Sequence, residues 1–305
     1  MTDFILAAIQ AAPVHFDSDA STEKACRLIA EAADKGATIA AFGECWLPGY
    51  PMFAFAPPTP RRWQASGAYL ASAVEIPGAQ TARLCAAARK AKVDVVIGVA
   101  EVDERTKGTV YATLLFIDQG GEIIGKHRKI KPTFYERTVW GEGDGSSLTV
   151  HERLYGRISG LNCWEHQMML PGYALASQGT QIHIAAWPGG EPEVAPPPPV
   201  AAWPRQVLLS RAFASQAGAY VICSGGVNRK TDYPEDYREL MMFEHNGGSC
   251  IIDPRGEIIA GPVKNEEVIL TAPGSLDLVR SVKAAIDIGG HYSRPDIFSF
   301  NILRR

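Results

Sequence analysis

The chain writes one pattern twice, and that repetition limits the folds open to it. Asp118-Gln119-Gly120-Gly121-Glu122-Ile123-Ile124 returns as Asp253-Pro254-Arg255-Gly256-Glu257-Ile258-Ile259. Each is a turn signature followed by an apolar run, which predicts a β-hairpin. The short apolar strand at 38–42 has a counterpart at 181–186. A predicted helix over 78–92 with a strand over 93–101 matches a helix near 203–217 with a strand over 219–224. The offsets vary, so the repetition is topological and not that of a solenoid. Two halves, each with strands, helices and a hairpin, predict two sheets packed face to face under outer helices. No linker interrupts them, so 1–305 reads as a single domain.

The remaining segments fit that plan. A buried strand is predicted at 4–10. Ser21 is a candidate N-cap for a helix over 22–35, which Gly36 would stop. Residues 45–63 read as a loop rich in proline and aromatics. Strands are expected at 111–117, 122–127 and 154–158. Between Trp187 and Trp203, the stretch from Gly189 carries the tract Pro196 to Pro199. It reads as a rigid surface loop or as a lid over a pocket.

Composition removes several function classes. With 305 residues, 46% of them hydrophobic, the chain can bury a large core. A net charge of -3 leaves no basic stripe for nucleic acid. No apolar run approaches the roughly 18 residues of a membrane span. The apolar start at 4–9 is short, follows Asp3 and lacks a basic flank, so it reads as a strand and not a signal peptide. Six cysteines (26, 45, 85, 163, 223 and 250) show no C-x-x-C spacing. They read as free thiols, neither a disulfide framework nor a zinc site, in a soluble cytoplasmic protein.

Three segments each place a reactive side chain beside a turn. Cys163, in Gly160-Leu161-Asn162-Cys163-Trp164-Glu165-His166, stands where a strand gives way to a predicted helix. Backbone N–H groups and the helix dipole there predict a lowered thiol pKa. The alternative is a buried structural cysteine. Glu44 ends the strand at 38–42. Lys129 follows the first hairpin, inside His127-Arg128-Lys129-Ile130-Lys131-Pro132-Thr133. Taken singly, either charge reads as solvated or ion-paired.

Taken together these segments resemble the nitrilase superfamily of carbon–nitrogen hydrolases, in its nitrilase branch, over nearly the whole chain. The matching stretches are Gly43-Glu44 with Pro48-Gly49-Tyr50-Pro51, and His127-Arg128-Lys129 with Lys131-Pro132-Thr133. Further matches are Glu136-Arg137 leading to Trp140-Gly141-Glu142-Gly143-Asp144-Gly145, then Asn162-Cys163-Trp164-Glu165-His166. Ala185-Ala186-Trp187-Pro188-Gly189 and Gly290-His291-Tyr292-Ser293-Arg294-Pro295-Asp296 complete the set. The resemblance implies an α/β fold, a four-layer αββα sandwich, that often dimerises across the helices after the cysteine. It implies a catalytic triad of Glu44, Lys129 and Cys163, with Glu136 in support. Lys131 is the neighbouring alternative to Lys129, but the family pattern picks the lysine directly after Arg128.

The chemistry implied is nitrile hydrolysis without metal or organic cofactor. The Cys163 thiolate attacks the nitrile carbon, Glu44 acts as general base, and Lys129 stabilises developing negative charge. Lys129 is also expected to lower the thiol pKa. Trp164 after the cysteine is characteristic of nitrilases and speaks against an amidase or carbamoylase. A cyanide-hydrating enzyme stays open as an alternative. Tyr50, Phe53, Trp164 and Trp187 are candidates for an apolar pocket, which suits an aromatic or arylaliphatic nitrile. The other reading places most of these rings in the core. A different class, a Cys-His thiol hydrolase, would use His166 or His127. With no long tail after Ser293-Arg294-Pro295-Asp296, the expected assembly is a homodimer or small homo-oligomer. The expected partner is a small-molecule nitrile, with no nucleic acid and no membrane.

Overall fold

In the computed structural model, which describes residues 4–190 and 205–304, strand order follows the repeat. The first half runs β1 (Phe4–Gln10), α1 (Ser18–Asp34), β2 (Ile39–Ala41), α2 (Pro60–Ala71), α3 (Ala79–Ala91), β3 (Asp94–Val102), β4 (Val110–Ile117) and β5 (Ile123–Arg128). The second begins β6 (His151–Arg153), β7 (Gly156–Asn162), α4 (Met169–Ser177), β8 (Ile182–Trp187), α5 (Arg205–Ala217) and β9 (Tyr220–Gly225). It ends β10 (Val227–Asn228), β11 (His245–Ile252), β12 (Ile258–Lys264), β13 (Val268–Gly274) and α6 (Leu276–Ala285).

The first sheet has the order β13-β1-β2-β3-β4-β5; the second has β10-β11-β9-β8-β7-β6, with β12 beside β11. In each, two strands pair in parallel across a helical connection, α2 and α3 in the first half and α5 in the second, and the second strand then pairs antiparallel with a hairpin. Thus β2 and β3 correspond to β8 and β9, and β4–β5 corresponds to β11–β12.

Side-chain alternation assigns the layers. Ile39 and Ala41 of β2, with Val96 of β3 and Phe116 of β4, meet Ile182, Ile184 and Ala186 of β8 between the sheets. Ala40, Phe42, Val95 and Ile97 point the other way, onto Ala25, Ile29 and Ala32 of α1 and Leu84 and Ala88 of α3. On the far side Ala185, Val221 and Cys223 receive Phe213, Ala214 and Ala217 of α5. The αββα sandwich expected from the sequence is the fold.

Local departures have local causes. The first helix starts at Ser18 and not at 22, because Asp17 is the N-cap, its carboxylate accepting the Ala20 N–H at 2.9 Å. The supposed loop 45–63 contains a 3-10 turn (Met52–Phe55) and the start of α2, capped by Thr59 with Pro60 at the first helical position. The strand expected at 154–158 runs from Gly156 to Asn162 instead, since Leu154 and Tyr155 turn between β6 and β7. After Cys163 comes a 3-10 turn (Cys163–Gln167) before α4 begins. The tract Pro196 to Pro199 lies outside the described residues. No helix among them is long and apolar enough to cross a membrane.

Candidate active site

Glu44 is set by a close approach between the two sheets. Its backbone N–H donates to the carbonyl of Trp187, at the end of β8, at 3.0 Å. A Cβ on Gly43 would sit 2.5 Å from that same carbonyl, and one on Gly98 would sit 2.3 Å from the carbonyl of Gly43. Both positions therefore need glycine for steric reasons. Cys45 then takes a left-handed φ of 44° and turns the chain away from β2.

Lys129 leaves β5 with its N–H on the Ala112 carbonyl (2.8 Å) and its own carbonyl on the Gly143 N–H (2.8 Å). A Cβ on Gly143 would approach the Arg128 carbonyl to 2.2 Å, which explains a glycine in the Trp-Gly-Glu-Gly-Asp-Gly run. Lys131, the rejected alternative, reaches the surface and pairs with exposed Glu142.

Glu136 lies in a 3-10 turn (Phe134–Thr138) entered through Phe134 at φ 51°. Its carboxylate accepts from Lys129 Nζ (2.7 Å), from the Tyr50 hydroxyl (2.6 Å) and from the Thr133 N–H (2.5 Å). Lys129 Nζ also donates to Glu44 Oε1 at 2.7 Å. The three charged side chains are at most 2% exposed. Cys163 sits at φ 50° at the end of β7, and single ligand atoms of Cys163, Glu44 and Glu136 all lie within 4.8 Å of one another. That spacing would suit a metal ion, but the Lys129 ammonium already lies between the two carboxylates as their cation.

Protonation follows from this burial. Burial pushes the Glu44 carboxyl up to about 8, with Lys129 opposing and Glu136 adding to the rise. Burial also works against the charge on Lys129, but Glu136 and Glu44 outweigh it and hold its pKa well above the ordinary value. For Cys163, burial and then Glu44 drive the thiol well above its usual range, more strongly than Lys129 and the Trp164 N–H pull it down. The lowered thiol pKa expected from the turn and the lysine is therefore reversed. Cys163 rests as a thiol and needs a base within reach.

The remaining candidates divide. Tyr50 reaches the site as a donor to Glu136 and lines a small cavity with Glu44, Trp46 and Asn228. Phe53 does not stand out as pocket wall. It is fully buried, its ring against Phe16 and Tyr69, because the Met52–Phe55 turn points it into the core. The ring of Trp187 turns to the helix layer, donating to Ser210 Oγ at 3.2 Å and stacking on His166. Trp187 serves Glu44 through its main chain. Trp164 is half-buried beneath the Arg205 guanidinium, 4.5 Å from the ring centre.

Glu165 was not singled out from the sequence. Its carboxylate accepts the N–H groups of Asn162 and Ile130, each at 2.8 Å, and His127 Nε2 at 3.0 Å. It ties the lysine segment to the cysteine turn. Burial opposes its charge, yet these donors hold its pKa below the usual carboxylate range. The signal was present as Asn162-x-x-Glu165, half of a capping box. Neither histidine of the Cys-His alternative faces the thiol. His127 is held between Glu165 and Ser147, and His166 Nδ1 donates to the carbonyl of Cys163 at 2.7 Å.

Known proteins share this sequence and architecture. A family model described as carbon-nitrogen hydrolase matches residues 5–284. A protein called Nitrilase 2, from an unknown prokaryotic organism, is 51% identical over 300 residues, covering 98% of this chain and 92% of that one. An aliphatic nitrilase of Rhodococcus rhodochrous is 36% identical over 312 residues, covering 99% and 83%. The crystal structure of a branch 10 member of the nitrilase superfamily from Saccharomyces cerevisiae superposes with a TM-score of 0.73. It covers 95% of this chain and 97% of that one at 21% identity, and so speaks for the fold alone. With the family model spanning both sheets and a relative identical at half its positions, this chain belongs to the carbon–nitrogen hydrolases of the nitrilase superfamily and is a hydrolase of carbon–nitrogen bonds.

Proposed function

We propose that the chain is a nitrilase, converting an organic nitrile to its carboxylic acid and ammonia, with Cys163 as nucleophile. One observation carries this reading: a buried Lys129 ammonium 2.7 Å from both Glu44 and Glu136, with the Cys163 thiol beside the two carboxylates. Glu44 takes the thiol proton as sulfur bonds to the nitrile carbon. One π pair of the C≡N bond moves to nitrogen, where Lys129 and the Trp164 N–H offset the charge and Glu44 returns the proton. The product is a thioimidate. Glu44 then deprotonates a water that adds to the same carbon and passes that proton to nitrogen. As the new hydroxyl gives up its own proton to nitrogen through Glu44, the C–N bond breaks and ammonia leaves a thioester. A second water, activated likewise, breaks the C–S bond and frees the acid and the thiol. Glu136, held by Tyr50 and Thr133, positions Lys129. The donor set calls for no metal or organic cofactor, and the chain acts as one domain.

For the nitrile substituent we retain the aromatic or arylaliphatic class. Tyr50 supports it, since it continues into a patch of rings through Phe55 (6.3 Å) and on to Phe243 (5.0 Å from Phe55). Ammonia release should be higher with benzonitrile or phenylacetonitrile than with aliphatic nitriles, cyanide or the matching amides. Intact mass should show an adduct on Cys163 that Cys163→Ala lacks. Turnover of amides alone would sink the nitrilase reading, and a preference for aliphatic nitriles would sink the substituent class. Six thiols without paired spacing support a reducing cytoplasm. Exposed Met169, Leu170 and Leu208 on α4 and α5 support a homodimer through that face. Light scattering should then give twice the chain mass of 33.0 kDa; a monomer speaks against it.

A further inference from the structure

We propose that His166 and His183 are positioning residues: together they lock the Cys163–Trp164 peptide so that its N–H faces the reacting atoms. The inference rests on the nucleophile reading above and concerns two imidazoles, His183 buried and His166 half-buried, that the mechanism does not use. A carbonyl oxygen only accepts, so His166 Nδ1, 2.7 Å from the Cys163 carbonyl, carries the hydrogen. Burial holds His166 down to about 4, so the ring is neutral and its Nε2 is bare. His183 Nε2 lies 3.0 Å from that nitrogen and must donate to it. Burial and the neighbouring imidazoles keep His183 neutral too. Its Nδ1 is then an acceptor, and the Ser159 hydroxyl supplies the donor at 2.8 Å, with Thr180 Oγ1 3.0 Å beyond. Each link leaves one tautomer for the next. Phe213 stacks on His183 at 3.8 Å and Trp187 on His166, so neither ring is free to turn.

The consequence reaches the thiol through one peptide plane. A trans peptide points its C=O and N–H in opposite directions. Holding the Cys163 oxygen on His166 therefore turns the Trp164 N–H to the opposite side of that peptide, where it pulls the Cys163 thiol pKa down against burial. That orientation is not the resting preference of the backbone. Cys163 is at φ 50°, a left-handed conformation that costs a residue with a Cβ on the order of 1–2 kcal/mol and persists only under restraint. The restraint comes from β8, which carries His183 and lies next to β7 in the sheet.

The test begins without substrate. NMR of protein labelled with 15N-histidine should find His166 protonated on Nδ1, the minor tautomer of free neutral imidazole, and His183 protonated on Nε2. The opposite assignment overturns the proposal. Because this measurement needs no turnover, its failure is separate from failure of the wild type on nitriles. His183→Leu removes the donor and should lower kcat about tenfold to a hundredfold with KM little changed, the cost of a misplaced group. His183→Gln returns an N–H near the lost one and should recover most of that rate. Wild-type kcat in His183→Leu, or equal losses in both variants, would overturn the idea. Should the leucine variant not fold, Ser159→Ala carries the test. It strips the donor behind His183 and should lower kcat roughly threefold to tenfold, the worth of one hydrogen bond; no change refutes the relay.

Discussion

Lys129→Met is expected to remove turnover, by at least about a thousandfold, and to cost the fold roughly 3–5 kcal/mol at alkaline pH. Methionine replaces the lysine stem with little loss of packing, so the effect isolates the charge. What is left is Glu44 and Glu136, each at most 2% exposed, with no ammonium 2.7 Å away. Removing one partner of a buried pair is worse than never having had it, because the desolvation of the other remains. The deficit should shrink as pH falls, since Glu44, with its carboxyl already pushed to about 8, takes up a proton first. Urea unfolding at about pH 9 and pH 6, beside ammonia release, reads both effects. A variant as stable as the wild type at both pH values would show that the three charges are not coupled as the distances imply.

Glu44→Gln separates the base from the carboxylate's burden on stability. Its turnover should fall roughly a thousandfold, within the usual range for a lost general base. Its stability should move the other way. The folded protein holds a proton on Glu44 up to about pH 8, whereas the unfolded chain releases it near 4.5. Between those values the native state binds more protons, so wild-type stability declines as pH rises through that window and is fully present only below it. Glutamine never ionises and still offers an acceptor to Lys129. The two proteins should therefore differ least near pH 5, and by pH 9 the variant should have gained roughly 2–4 kcal/mol on the wild type. Wild-type turnover should climb through about pH 8 as Glu44 becomes able to accept the thiol proton. A stability difference that does not change between those pH values would mean that Glu44 is charged throughout.

Much of the architecture was readable in advance, for local reasons. Short apolar runs such as 38–42, and the Asp118 and Asp253 turns, specify strands and hairpins within a few residues. The repeat then leaves little choice but two sheets. Where the structure departs from the local reading, a competing local signal prevails: Asp17 caps the first helix in place of Ser21, and Thr59-Pro60 opens a helix inside an aromatic loop. The pairing of β1 with β13, Phe4 opposite Gly274, has no such local signal because it joins the two ends of the sandwich. The aromatic candidates split for the same reason. Tyr50, Phe53, Trp164 and Trp187 look alike as residues, but whether a ring meets the pocket or the core depends on the path of its backbone.

By itself the sequence determined which chemical groups this protein brings to its site: a cysteine after a strand, a glutamate at a strand end, a lysine past a hairpin and a second glutamate in the turn after it. Tertiary structure alone decided their state. The thiol was expected to be acidified by its turn, yet it is pushed up, because burial and Glu44 act through space more strongly than the neighbouring N–H does. A pKa is set by the water a group loses and by the charges within a few ångströms. Here those charges come from residues 44, 129 and 136 of the chain, brought to residue 163 only by closing one sheet over the other.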